Sequence, residues 1–288
     1  MTDVSAYLKD KAARTEEALE GYFNSWNGAP HQLADAMRYS LFAGGKRLRP
    51  GLVLGAAEIV SGDDAAALPA ACAIEMIHTY SLIHDDLPSM DDDALRRGRP
   101  TSHIVHGEAM AILTGDTLLA MAFDIISRAG NAAVVGEVAR AAGAEGMAGG
   151  QVIDLLSEDK QLTLEELRRL HAYKTGALIR VSVRAGAMLA GTDSDALEAL
   201  TRYGEHIGLA FQIADDILNV TGTEEALGKP VGSDLAHKKS TYPGLVGLNE
   251  ARRLAEASSD EALRALEPFG AEAAPFRALA RYIIDRNS

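Results

Sequence analysis

Residues Ala71 to Asp93 read ACAIEMIHTYSLIHDDLPSMDDD, and the junction inside that stretch decides the fold. Ala71 to His84 is a long apolar run carrying Glu75, His78, Tyr80 and His84, and it is expected to be helical. Pro88 cannot donate a backbone hydrogen bond and clashes one turn back, so regular helix should stop near Asp85 or Asp86. Asp85, Asp86, Asp91, Asp92 and Asp93 then crowd five carboxylates into nine positions. They repel one another unless a cation joins them. The first two also face the negative end of a helix dipole, the wrong place for anions. A solvated acidic loop is one reading. A site for a hard cation (Mg²⁺, Ca²⁺ or Mn²⁺) is the other, because a bound cation reverses the sign of the local field. Asp85 and Asp91 are six positions apart and would not share a face of a straight helix, but a bend through Pro88 could swing them together.

Outward from that junction, helical spacing of apolar residues continues in both directions. A first helix is expected over 3–26, broken at Asn27 to Pro30, and a second over about 31–43. Between them and a helix at Gly51 to Val60 lies GGKRLRP, Gly44 to Pro50. Gly44 and Gly45 suit a tight turn that lets backbone approach a ligand. Lys46, Arg47 and Arg49 put three cations into four positions of an acidic chain; they are either an anion site or a basic helix cap. Behind the aspartates, Arg96, Arg97 and Arg99 precede an apolar helix at about 108–128. Further helices are expected at about 131–157, 164–190 and 195–220. Thr163 and Glu166 form a capping box, and the glycines of Gly143 to Gln151 are read as close helix packing.

Phe211 to Val220, FQIADDILNV, repeats the theme of the opening stretch. Gln212, Asp215 and Asn219 share one helical face, and Gly222 is a natural stop. Leu227 to Ser240 has loop composition and carries Lys229, Lys238 and Lys239, and 245–286 reads as two or three amphipathic helices. No strand alternation, repeat or linker interrupts the pattern. The expectation is an all-α fold in a single domain, 1–288.

The bulk properties narrow the function. A net charge of -13 argues against nucleic acid or an anionic membrane as the main partner. Cys72 is the only cysteine, which excludes a disulfide framework and a cysteine-based zinc site and fits a cytoplasmic location. The N-terminus carries charges throughout, and no uncharged apolar run reaches about 18 residues, so neither a signal peptide nor a spanning helix is expected. Nucleotide and hydrolase motifs fail: Gly222 to Lys229 has the wrong spacing for a P-loop, the histidines form no HExxH, and no nucleophile elbow occurs. His84 is read as a packed histidine. Acidic and basic clusters together suggest phosphate held through a metal ion.

In the order GGKRLRP, YSLIHDDLPSMDDDALRRGRPTSH, HAYKTGALI, FQIADDILNV, LGKPVGSD and KKSTYP, the chain resembles the polyprenyl synthetase family of trans-isoprenyl diphosphate synthases. Within it, the chain is most similar to the bacterial short-chain farnesyl type, which has four residues between the first aspartate pair and the next aspartate. The resemblance implies an isoprenoid-synthase helical bundle around a central substrate pocket. It implies Mg²⁺, three ions per site and replaceable by Mn²⁺, held directly by Asp85, Asp91 and Asp215, with Asp86, Asp216 and Asn219 acting through water. Arg96, Lys174, Lys229 and Lys239 would grip an allylic diphosphate. Gly45, Lys46, Arg49, His78 and Arg97 would hold isopentenyl diphosphate, and Thr175 and Gln212 would face the developing cation. Tyr80, with Ser81 beside it, would limit product length. A homodimer is implied as well. Asn219 stands where many members carry a third aspartate, which leaves a geranylgeranyl or geranyl product open. A terpene cyclase would need no second diphosphate and hence no GGKRLRP cluster, and a non-catalytic subunit would have lost one of the aspartate motifs.

Overall fold

The computed structural model describes residues 3–26, 28–222 and 239–285. Its centre is α4 (Leu68–Asp85), reached through α1 (Val4–Ser25), α2 (His31–Leu41) and α3 (Leu48–Ser61). Residues on every side of α4 are buried, from Ala70 through Ile77 to Ile83. A helix apolar all round must lie inside a bundle, and α4 packs along α6 (Glu108–Ser127), which follows the short α5 (Ser102–His106). By length and composition alone α4 and α6 could each cross a membrane. α4 is mostly buried inside the bundle, whereas α6 keeps Ile112 and Leu113 exposed on its outer side.

The chain then runs through α7 (Ala132–Ala142), α8 (Met147–Leu156) and α9 (Leu164–His171) into a π-helical turn, Ala172–Gly176. It continues through α10 (Ala177–Leu189) and α11 (Ser194–Thr221). After the segment outside the described residues come α12 (Tyr242–Val246), α13 (Leu248–Ala265) and α14 (Ala274–Asp285). α10 lies between α3 and α11, and α11 between α10 and α13. One core surrounds α4; a second joins α3, α10, α11 and α14 through residues such as Leu52, Val183, Tyr203 and Phe276.

Three sequence expectations need correction. The helix expected over 131–157 is two, because Gly143 leaves α7 in extended conformation (φ -88°, ψ -152°) before α8 starts at Met147. The helix expected over 164–190 is interrupted by the π-turn. The third helix starts at Leu48, ahead of Gly51. The capping box is present: Thr163 Oγ1 accepts from Glu166 N and Glu166 Oε2 from Thr163 N. Two short strands, Leu95–Arg96 and Arg99–Pro100, were not expected. They form a hairpin whose turn residues, Arg97 and Gly98, have φ of 53° and 73°, the positive values that twisted two-residue hairpins use.

Candidate active site

A cavity of about 820 Å³ opens at the C-terminal end of α4. Beyond that end the chain turns back on itself: Asp91 N donates to Asp85 O at 2.9 Å, and Met90 N and Asp92 N both donate to Leu87 O. The bend at Pro88 thus brings Asp91 beside Asp85, and both line the cavity. Burial, with Asp91 and Asp86 adding repulsion, raises the Asp85 carboxyl to about 6. Asp86 caps the helix and turns away. It is buried and takes Arg96 Nε at 2.7 Å and Nη2 at 2.6 Å, and Asp93 lies 3.4 Å from the same guanidinium.

The opposite wall is α11, which presents Phe211, Gln212, Asp215, Asp216 and Asn219. The expected shared face of Gln212, Asp215 and Asn219 is therefore observed. Asp216 and Asn219 are buried. Asp216 accepts from Gln212 Nε2 at 3.0 Å and from Tyr242 N at 2.9 Å, which suits a supporting place behind Asp215. The π-turn carries Lys174 and Thr175 to the cavity. Thr175 Oγ1 donates to Gln212 Oε1 at 2.9 Å, and Lys174 Nζ lies 2.5 Å from Asp154 Oδ2. Lys239, at the far edge of the described chain, reaches Asp91 Oδ1 at 3.1 Å and Asp154 Oδ2 at 3.3 Å.

The remaining wall is cationic. Gly45, Lys46, Arg47, Arg49, His78 and Arg97 line it. The three cations of GGKRLRP precede or open α3 at its N-terminus, where a helix dipole repels them. They are therefore not a C-terminal cap. Cations and a helix N-terminus together attract an anion. Gly45, at φ 125°, makes room for Arg97: a Cβ there would stand 2.8 Å from the guanidinium carbon. Arg97 in turn donates to Gly44 O. Burial lowers both Arg49 and Arg97, and Arg49 Nε is buried with no partner among the described residues. Burial and the surrounding arginines hold His78 well below its ordinary value, so it is neutral. Arg47 points inward instead. Its guanidinium donates to Glu75 at 2.6 Å, Glu16 at 3.0 Å and Leu41 O at 2.5 Å.

Most of the residues named from sequence line this one cavity. Tyr80 and Ser81 do not line this cavity. Tyr80 is half-buried with its ring 5.7 Å from that of His84, on the α4 face turned to α6, and Ser81 donates to His78 O at 2.9 Å. His84 is packed as expected, its Nε2 3.1 Å from Ile112 O. Lys229 and Lys238 lie outside the described residues. Asp154 and His171 line the cavity without having been singled out, as does Glu75, noted from sequence but given no role. Asp154 had a usable signal, standing one turn after Gly150; a lone glutamate in the apolar run of α4, or a histidine ending the charged α9, gives none.

Asp85, Asp91 and Asp215 supply hard oxygen donors, and the raised Asp85 marks charge that a cation would relieve, so the residues fit Mg²⁺. Among the described residues, no three such side chains already converge on one point.

The family model for polyprenyl synthetase matches residues 30–268. The farnesyl diphosphate synthase of Geobacillus stearothermophilus is 50% identical over 257 residues, covering 86% of each chain. The geranylgeranyl diphosphate synthase of Cyanophora paradoxa is 48% identical over 290 residues, covering 98% of this chain and 96% of its own. Among solved structures, the geranylgeranyl pyrophosphate synthetase of Pyrococcus horikoshii superposes with a TM-score of 0.88 at 34% identity, covering 98% of both chains. With the motifs, the helical bundle and these likenesses in agreement, the chain belongs to the polyprenyl synthetase family.

Proposed function

We propose that the chain is a prenyltransferase that condenses isopentenyl diphosphate with dimethylallyl or geranyl diphosphate, giving farnesyl diphosphate and pyrophosphate. One observation carries the reading: two aspartate-bearing helix ends and two separate cationic clusters line a single cavity. A lone diphosphate would need only one of those clusters, which disfavours a cyclase.

In this reading Lys46, Arg49, Arg97 and neutral His78 hold the isopentenyl diphosphate against the N-terminus of α3. Arg96, Lys174 and Lys239, with Lys229, hold the allylic diphosphate. Asp85, Asp91 and Asp215 would hold Mg²⁺, which would supply charge stabilisation to the leaving pyrophosphate. The lysines and Arg96 stabilise the same oxygens as the allylic C–O bond breaks and negative charge grows there. Thr175 Oγ1 and Gln212 Oε1 present oxygen lone pairs to the allylic cation. The apolar surroundings exclude water that would otherwise capture it. The isopentenyl double bond attacks the cation, and the proton then lost passes to the departing pyrophosphate, so no separate base is required of the chain.

A farnesyl product is supported by the Geobacillus relative's name, a longer product by the Cyanophora relative's name and by Asn219. We assign Tyr80 the length limit: it stands five residues back from Asp85, outside the cavity lining, on the α4 face turned to α6 where a lengthening chain would run. The purified chain with labelled isopentenyl diphosphate and each allylic primer should yield farnesyl diphosphate, and Tyr80→Ala should lengthen it. No incorporation with any primer would defeat the activity. An unchanged product from Tyr80→Ala would remove Tyr80 from its role. The chain is also proposed to be a cytoplasmic homodimer. The exposed apolar side chains Ile104, Val105, Ile112 and Leu113, clustered on α5 and α6, support a second copy as the cover for that face.

A further inference from the structure

Lys174 and Lys239 reach the cavity from separate segments, one from the π-turn and one from the chain leading into α12. Both end at one atom. Lys174 Nζ stands 2.5 Å and Lys239 Nζ 3.3 Å from Asp154 Oδ2. Two ammonium groups at one oxygen repel each other, and the carboxylate they share offsets that repulsion. Asp154 is itself buried, at 9% exposure. Burial alone would raise its carboxyl, but the two lysines outweigh burial and hold it below the ordinary range.

The backbone around Asp154 is set with equal closeness. Gly150, one turn earlier on the same face of α8, lies against the π-turn. A Cβ at Gly150 would stand 2.3 Å from Lys174 N and 2.5 Å from Lys174 Cα. Real side chains do not tolerate such distances, so α8 can close on Lys174 only through glycine. Contact at position 150 therefore fixes the reach from position 154 to the Lys174 ammonium.

We propose that Asp154 is a positioning residue for the allylic diphosphate site, gathering Lys174 and Lys239 onto one point of the cavity wall so that both ammonium groups meet the same diphosphate. Lys239 also contacts Asp91. Asp154 is the seat that keeps Lys239 at the wall when Asp91 turns to another cation. The proposal rests on the reading that these two lysines hold the allylic diphosphate.

The test compares Asp154→Asn, Asp154→Glu, Lys174→Met and Lys239→Met in the Mg²⁺-loaded enzyme. It reads the KM for geranyl diphosphate, the KM for isopentenyl diphosphate and the calorimetric affinity for inorganic pyrophosphate. Asp154→Asn should raise the geranyl KM and weaken pyrophosphate about tenfold, the loss of one charge-assisted hydrogen bond. The isopentenyl KM should hold, and Asp154→Glu should recover part of the loss. Three results would overturn the proposal while leaving the site reading intact, provided the lysine variants still raise the geranyl KM. These are an unchanged geranyl KM in Asp154→Asn, tighter pyrophosphate binding (the carboxylate acting as a repulsive charge), or equal weakening of both substrates. Lysine variants with an unchanged geranyl KM would instead remove the premise, and the proposal with it.

Discussion

His171 is buried beside Tyr242, with Nδ1 lacking a partner among the described residues. Burial, helped by the Lys174 charge, lowers its imidazole from 6.5 to about 4. Between those values the unfolded chain binds more protons, so His171 makes stability rise with pH. Taking the pH down through that window should cost about 3 kcal/mol. Asp85 runs the other way: raised from 3.8 to about 6, it binds its proton more readily when folded and favours the folded state as pH falls. His171→Asn should therefore remove the destabilising acid limb and leave the opposite trend of Asp85, read by urea unfolding at a series of pH values. An unchanged slope would contradict burial as the cause. The same residue shows why part of the site escaped sequence reading. Asp85 was legible because a carboxylate at a helix C-terminus violates the dipole rule, Asp91 because a bend at Pro88 could return it to Asp85, and Asp215 because it shares a helical face with Gln212 and Asn219. His171 and Glu75 violate no local rule, and their burial is a property of packing alone.

At the level of elements, the end of α4 was legible nearly to the residue, since a proline three positions past it leaves no choice of ending, while its start lies three residues ahead of the expected Ala71. The interruption of α9 and α10 was not. No proline marks Ala172–Gly176, and the π-turn packs against α8 at Gly150, a tertiary contact that spacing does not announce. Bulges of this kind are frequent at functional sites, and here the bulge carries Lys174 and Thr175. The glycines of α8 were rightly read as packing, yet what they pack against could not be named from spacing. Gly150→Ala should push α8 off the π-turn and destabilise the fold by about 1–3 kcal/mol, as overpacking of a close contact does. Thermal unfolding checks this, and a melting temperature equal to that of the unaltered chain would show that the contact is not tight.

Across the whole molecule, the cavity joins groups distant in sequence: position 45 on one wall, 85 and 91 on another, 174, 215 and 239 on a third. The all-α bundle was foreseeable from periodicity, but the convergence of these walls depends on α10 lying between α3 and α11, which no local pattern encodes. The two aspartate-bearing helix ends are proposed to act as halves of one site, each incomplete alone. Metal-dependent release of pyrophosphate from isopentenyl and geranyl diphosphates tests this most directly, measured for the unaltered chain, Asp85→Ala and Asp215→Ala. Release is expected from the unaltered chain only with Mg²⁺, and each variant is expected to lose it almost completely. Near-normal, metal-dependent turnover in Asp215→Ala would contradict the two-sided site.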